Sequence, residues 1–398
     1  MSRSGEGVRQ ATTDDNMSLP LVSLHPPSHG DVDLAADAPS PRPDWILLDF
    51  SAYVDSCRNA TTASCKARDG VHDVHVTFFP AQPPRVSHFC VDCPGLGPRC
   101  FGEEPKILAT DGKFVLLRIF IGPRYGIVRH DLHEYYIYCA DCGPDGAPSL
   151  QLLPNPSPCI FHDDQVGLIS RGTSYTIAGL RDDSSPLSGD LSDLGTYVVY
   201  LFNSEDKIWR PIPVSVPCKE ECSDDDEEFL HETSKVITVG GEHGTIAFVD
   251  LWRGILLYDV FSEVLMLRYI PLPGMFRPST IRPHCDADSV GHKSFWRLRL
   301  RWLAPLELLK ELPGKGGKPC ETLETFHTGH PTLSLDDDDI VYFMAKVKQQ
   351  EKKAWILAVD MNHRMLLQIS EFGAERTFGL SYTYTQSRIS KYLNMTPR

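Results

Sequence analysis

Four stretches of this chain repeat one pattern: an apolar run, a polar turn built on Asp or Asn, and a second apolar run that often closes on proline. They are YIYCADCGPDGAPSLQLLPNP (136–156), VVYLFNSEDKIWRPIPVSVP (198–217), GILLYDVFSEVLMLRYIPLP (254–273) and AWILAVDMNHRMLLQISEF (354–372), with Asp141, Asn203, Asp259 and Asp360 in the turns. The runs are rich in Val, Ile, Leu and Tyr and read as strands, so each unit is a hairpin. A hairpin cannot bury two faces alone; repeated sheets must pack on neighbours, most economically around a ring. The first three units lie roughly 55–60 residues apart and the fourth about 100 further on, which leaves room for one more near 285–330. The expected fold is all-β, an irregular β-propeller-like array of about six sheet units, with tandem β-sandwiches as the alternative.

Other runs of the same kind are WILLDF (45–50), VHVTFF (74–79), KFVLLRIFI (113–121), EYYIYC (134–139) and TIAFVDL (245–251). Only APLELLKEL (304–312) has helical spacing. With 41% hydrophobic and 23% charged residues the chain can bury a sizeable core, and its 31 prolines and 29 glycines fall mostly between the apolar runs. Residues 1–41, rich in Pro, Ser, Asp and Gly without a period, read as a disordered lead-in. The expected division is this segment, a propeller-like domain over 42–372 and a C-terminal extension over 373–398.

The net charge of -14 opposes non-specific attraction to nucleic acid or anionic lipid. No apolar stretch reaches the roughly 20 residues that span a bilayer, and the first residues lack a signal-peptide h-region. The expectation is a soluble cytoplasmic or nuclear protein whose 12 cysteines are mostly free thiols, as disulfides rarely persist in reducing compartments. The sequons at Asn59 and Asn394 then carry no glycan.

WILLDFSAYVDSCRNATTASC (45–65), VDCPG (91–95), GTIAFVDLWRGILLYDV (244–260) and LRYIPLP (267–273) together resemble the plant family called domain of unknown function 1618, expanded in grasses. The likeness spans most of residues 45–372 and is strongest at VDLWRGILL (249–257) followed by IPLP (270–273). It implies structural roles for Trp252, Gly254, Asp259, Pro271 and Pro273, and it brings no catalytic residue or activity with it. In style the chain is also similar to the propeller-like recognition regions of plant F-box proteins, an analogy of fold that does not fix function.

The most chemical-looking residues are the pairs Cys90/Cys93 and Cys139/Cys142, which could in principle complete a tetrahedral thiolate zinc site. The gap between the pairs far exceeds the spacing usual in zinc ribbons, so free thiols in strands and turns are favoured. Cys218 and Cys222 form a third, wider pair, and no CxxC opens a helix as thioredoxin-like redox chemistry would need. His130 and His133 match no metalloenzyme motif and run into a strand, where an offset of three points side chains apart. Gly240-Gly241-Glu242-His243-Gly244 lacks the Lys-Ser/Thr of a phosphate loop and reads as a hairpin turn. FWRLRLRW (295–302) alternates Trp and Leu against Arg297, Arg299 and Arg301, so its aromatics and its cations face opposite ways and cannot share a nucleic-acid ligand. The acidic runs 223–228 and 336–339 lack calcium-loop spacing; Ser223 before acids would suit an acid-directed kinase.

No catalytic or cofactor-binding residue is expected. The functional expectation is a non-enzymatic protein-interaction module that binds a protein partner through loops on one propeller face. The alternatives are an enzyme with a site in a central funnel, marked by three or more converging carboxylates or histidines, and a zinc-stabilised module using the CxxC pairs.

Overall fold

A computed structural model describes residues 19, 21–27, 42–122, 133–156, 162–182, 196–216, 231–263, 266–272, 326–348, 351–376 and 383–394. These residues form five sheets arranged as a five-bladed β-propeller, close to the expected count of about six. The second sheet holds β6 (Lys106–Asp111), β7 (Phe114–Phe120), β8 (His133–Cys139) and β9 (Ser149–Leu152). The third holds β10 (Val166–Arg171), β11 (Ser174–Asp182), β12 (Thr196–Asn203) and β13 (Trp209–Ser215). The fourth holds β14 (Lys235–Gly240), β15 (Thr245–Asp250), β16 (Gly254–Asp259) and β17 (Leu267–Pro271), and the fifth β18 (His327–Leu333), β19 (Ile340–Lys346), β20 (Lys353–Asp360) and β21 (Met365–Gly373). All four are antiparallel meanders in chain order.

The first sheet is assembled differently. β1 (Ile46–Asp49) lies between β5 (Val86–Asp92), to which it runs parallel, and β22 (Tyr384–Ser387), to which it runs antiparallel. β4 (Asp73–Phe79) and β3 (Ala63–Lys66) continue the sheet beyond β5, and the short β2 (Tyr53–Val54) also pairs with β5. Tyr384–Ser387, within the stretch expected to be an extension, is therefore a sheet strand that joins the end of the chain to its beginning. The N-terminal lead-in also differs from expectation in part: Leu21–Leu24 forms a 3-10 turn, Leu19 and Ser23 are buried, and the Ser23 hydroxyl bonds Glu104.

Burial on both faces explains the near-continuous apolar runs. Along β7, Val115, Leu117 and Ile119 enter the core shared with the first sheet, while Phe114 and Leu116 enter the core shared with the third. Likewise Ile46 and Leu48 of β1 face the second sheet, and Leu47 faces the fifth, packing with Tyr342, Met344 and Ile356. The period of two is present, but in the first, second and third sheets each phase is apolar because a core lies on either side of the sheet. The fourth strands are the sheets' outer edges. Pro211 and Pro213 of β13 and Pro271 of β17 sit there, where no further strand requires the N–H that proline lacks. That position accounts for the strand prolines of the second and third repeats.

The recurrent units of the sequence correspond to the third and fourth strands of the second to fifth sheets. Their polar turns occupy equivalent places, and Asp145 (φ 55°), Lys207 (φ 58°) and Arg364 (φ 59°) adopt the left-handed conformation in three of them. The Cys218/Cys222 pair, Ser223, the 295–302 strand, the 304–312 helix, His130 and Pro273 lie outside the described residues.

Candidate functional site: a charged collar on one propeller face

The first strands of neighbouring sheets run side by side in one direction. Ser170 at the end of β10 donates to Asp111 at the end of β6, from its backbone N (2.6 Å) and its hydroxyl (2.7 Å). Thr110 and Ser387, near the ends of β6 and β22, are joined at 2.7 Å, and Arg388 beyond β22 donates to the carbonyl of Leu335 beyond β18 at 2.6 Å. One face of the ring thus carries the turns between first and second and between third and fourth strands. The opposite face carries the remaining connections, among them the long ones from Phe120 to His133, Asp182 to Thr196, Ser215 to Lys235 and Pro271 to His327.

That second face bears a collar of acidic and basic side chains in three groups. In the first, Arg376, just past β21, is buried against Asp49 at the end of β1. Its Nη2 reaches the Asp49 carboxylate at 2.5 Å, and its Nη1 donates to the carbonyls of Ser51 (3.0 Å) and Ala52 (2.7 Å). The guanidinium lies 3.8 Å over the Tyr53 ring. Burial pushes the Asp49 carboxyl above the usual range, and Arg376 opposes that shift.

The second group joins the second and third sheets. Arg118 on β7 pairs with Glu103 (2.8 Å) and with Asp163, which also receives Lys106 Nζ at 2.9 Å; His133 Nε2 lies 3.7 Å from Glu103. The carboxylates of Glu103 and Asp163 are thus each matched by a cation. This group is an inter-blade tie rather than an unpaired general base.

The third group is organised by Asp250, fully buried at the end of β15. Its Oδ1 accepts the backbone N–H of Trp252 (2.8 Å) and Arg253 (3.1 Å), and its Oδ2 accepts Glu232 N (3.0 Å) and Arg253 Nη1 (2.9 Å). Beside it, His231 is buried, its backbone N–H donates to the Tyr197 hydroxyl at 3.1 Å, and neither ring nitrogen has a hydrogen-bond partner among the described residues. Loss of solvation lowers its pKa to about 4; Asp250 opposes the shift and Arg253 adds to it.

A histidine whose folded pKa lies below its unfolded value of about 6.5 leaves the unfolded chain holding more protons in the interval between the two. Stability is therefore complete above about pH 6.5 and falls as the pH drops toward 4. Between pH 7.5 and pH 5 the single group should cost about 2 kcal/mol. Urea unfolding at the two pH values should register that loss in the parent protein and a correspondingly smaller one in His231→Phe. Equal losses in both would remove His231 from the account.

The family-like segment forms the turn around Asp250. Trp252 sits in that turn, half-buried. Gly254 opens β16 where a Cβ would stand 2.5 Å from the Ile270 carbonyl and 2.5 Å from the Tyr269 ring, so only glycine lets β17 approach. Pro271 pairs in register with Gly254, and Asp259 lies on the opposite face, accepting from Thr245 (2.5 Å) and pairing with Arg268 (3.1 Å).

The cysteines do not converge. Cys90 and Cys93 are buried but lie on opposite phases of one strand end, with Cys57 near the first and Cys65 near the second. Burial pushes both thiols up to about 12. Cys139 and Cys142, expected as free thiols, are joined by a disulfide. Among the described residues the one cluster with metal-ligand spacing is Cys139, Asp141 and Cys142, without Cys90 or Cys93, so the four-cysteine zinc centre is not assembled. The glycine-rich turn and the 336–339 acids are on the turn face, where the Ser334 hydroxyl accepts the N–H groups of Asp336 and Asp337.

The described geometry defines a β-propeller with a charged collar on its loop-bearing face. No family model matches the chain, and no curated protein matches it. Among solved structures it is similar to an ACO/RPE65 chimera at 10% identity and a TM-score of 0.26, covering 89% of this chain and 66% of that one. It is also similar to Trypanosoma rangeli sialidase in complex with the inhibitor DANA, at 8% identity and 0.25, covering 82% and 51%. The chain thus spans about two thirds and one half of those proteins, and neither likeness bears on its activity. Among the described residues no helix is long and apolar enough to cross a membrane.

Proposed function

We propose that this protein is a protein-interaction module, that its partner docks on the collar face, and that it belongs with the grass-expanded plant proteins it resembles. The observation that carries the reading is the asymmetry of the ring: the longest connections join strand ends on one face, and the other carries shorter turns. Loops held by a rigid scaffold are where recognition is ordinarily built. The collar beneath them is richer in carboxylates than in cations, since Asp164 and Glu232 join the paired acids; burial first of all, with the neighbouring charges of Asp163 and Glu232 adding to it, raises the Asp164 pKa. A partner surface bearing Lys or Arg fits that excess and would be steered to it over about one Debye length. The pairing of Glu103 and Asp163 with cations favours binding over catalysis at this face.

The test is proximity labelling in the native cell, followed by reconstitution of the best candidate from purified components. Glycine-serine replacement of 123–132 and 217–230 should abolish the interaction, and the same replacement of 336–339 on the turn face should leave it intact. Equal loss from both, or labelling of background proteins alone, would overturn the proposal.

A further inference from the structure

We propose that Cys139 and Cys142 form a reversible thiol–disulfide exchange site whose substrate is a low-molecular-weight thiol. The site lies on the turn face and is independent of the interaction reading. Cys139 ends β8 with its side chain in the core between the second and third sheets, 4% exposed, whereas Cys142 is exposed in the turn that leads to β9. Their Cα atoms are 5.5 Å apart.

Two observations separate this bond from a structural staple. The loop it closes has a sequence separation of 3, and the stabilisation a cross-link draws from the unfolded chain shrinks with loop length. The turn is also already held by backbone bonds: Ala140 N to Lys113 O (3.0 Å) continues the β7–β8 pairing, and Gly143 N to Ala147 O (2.7 Å) and Ala147 N to Pro144 O (3.0 Å) close the turn itself. A disulfide with one exposed cysteine and so short a loop to close is of the labile kind, and where a reducing thiol pool meets it such a bond serves redox functions.

The unequal burial sets the direction of the reaction. A thiolate reaches the Cys142 sulfur, forms a mixed disulfide there, and breaks the bond to Cys139, which leaves as a thiolate and takes a proton from water. A second thiolate attacks the sulfur of the attached thiol, releases it as the symmetric disulfide, and leaves Cys142 as a thiolate. Two external thiols are oxidised and one protein disulfide is reduced; glutathione disulfide drives the reverse. The Asp141 carboxylate lies 3.7 Å from the Cys139 sulfur and 3.9 Å from that of Cys142, and Lys113 Nζ, 2.9 Å from Asp141, offsets its repulsion of a thiolate. Among the other described cysteines, burial first of all holds Cys90 and Cys93 at about 12 and Cys65 at about 11, which keeps them poor nucleophiles.

The experiment equilibrates the native protein in glutathione buffers of graded reduced-to-oxidised ratio, quenches with acid, and maps alkylated and protected cysteines by peptide mass. The pair should pass reversibly from disulfide to dithiol across the series. The Cys139→Ser variant should trap glutathione on Cys142 at about tenfold the level found on Cys90 or Cys93, in keeping with thiol access and ionisation. A pair still oxidised in the most reducing buffer without denaturant, or still reduced in the most oxidising one, would overturn the proposal, and the parent protein alone suffices for that reading. An absent Cys142 adduct in a folded Cys139→Ser variant would do the same.

Discussion

A chain ending at residue 376 will lose its cooperative unfolding transition and elute as aggregate, although the sequence presents the missing part as an extension. β22 pairs with β1 at all four of its positions, from Ile46 opposite Ser387 to Asp49 opposite Tyr384. Without it, the N–H and C=O groups of β1 that face it lose their partners inside the ring, where water cannot replace them cheaply. Tyr384, Ile389 and Leu393 are buried, and the carbonyl of Tyr384 lies 2.6 Å from His330 Nε2 on the fifth sheet. Emptying each such apolar site costs about 2–5 kcal/mol, so three together rival the 5–15 kcal/mol that hold a typical domain. Thermal melts followed by circular dichroism, with size-exclusion chromatography, decide the matter. A monomeric truncated protein with an unchanged melting temperature would mean that the ring does not depend on this closure.

The repetitive part of the fold was legible because it is local. Alternating burial, a polar turn and an edge proline recur within about twenty residues, and the hairpins they specify are the third and fourth strands of four sheets. What could not be read is non-local. Arg376 and Asp49 are 327 residues apart in the chain, and nothing near either signals the other. β22 reads Tyr-Thr-Gln-Ser, so it lacks the apolar run that marks the other strands. The collar was invisible for the same reason: Glu103, Arg118 and Asp163 come from three separate segments. Cysteine spacing suggested a metal, but on a strand end an offset of three sends Cys90 and Cys93 to different neighbours. His231 sits in a stretch without periodicity, and only burial distinguishes it.

Within the motif at 249–257 Trp252 is the largest side chain, yet it is Asp250 that is fully buried and gathers the hydrogen bonds. Asp250→Ala removes one fully buried carboxylate and leaves the N–H groups of Glu232 and Trp252 without their acceptor, while that of Arg253 keeps the Asp250 carbonyl at 3.3 Å. Each unsatisfied buried group costs about 1–3 kcal/mol, and the loss is about 3–5 kcal/mol in total, because Arg253 is partly exposed and can turn to water. Asp250→Asn keeps an acceptor for the amides and loses the charge, so it should fall between the alanine variant and the parent. Trp252→Ala removes a half-buried ring and should cost no more than about 2 kcal/mol, below the 3–5 kcal/mol of a core aromatic. Urea denaturation of the three variants at pH 7.5 gives the ranking directly. If Trp252→Ala proved as damaging as Asp250→Ala, the ring rather than the carboxylate would be what shapes this turn, and the collar would lose its third anchor.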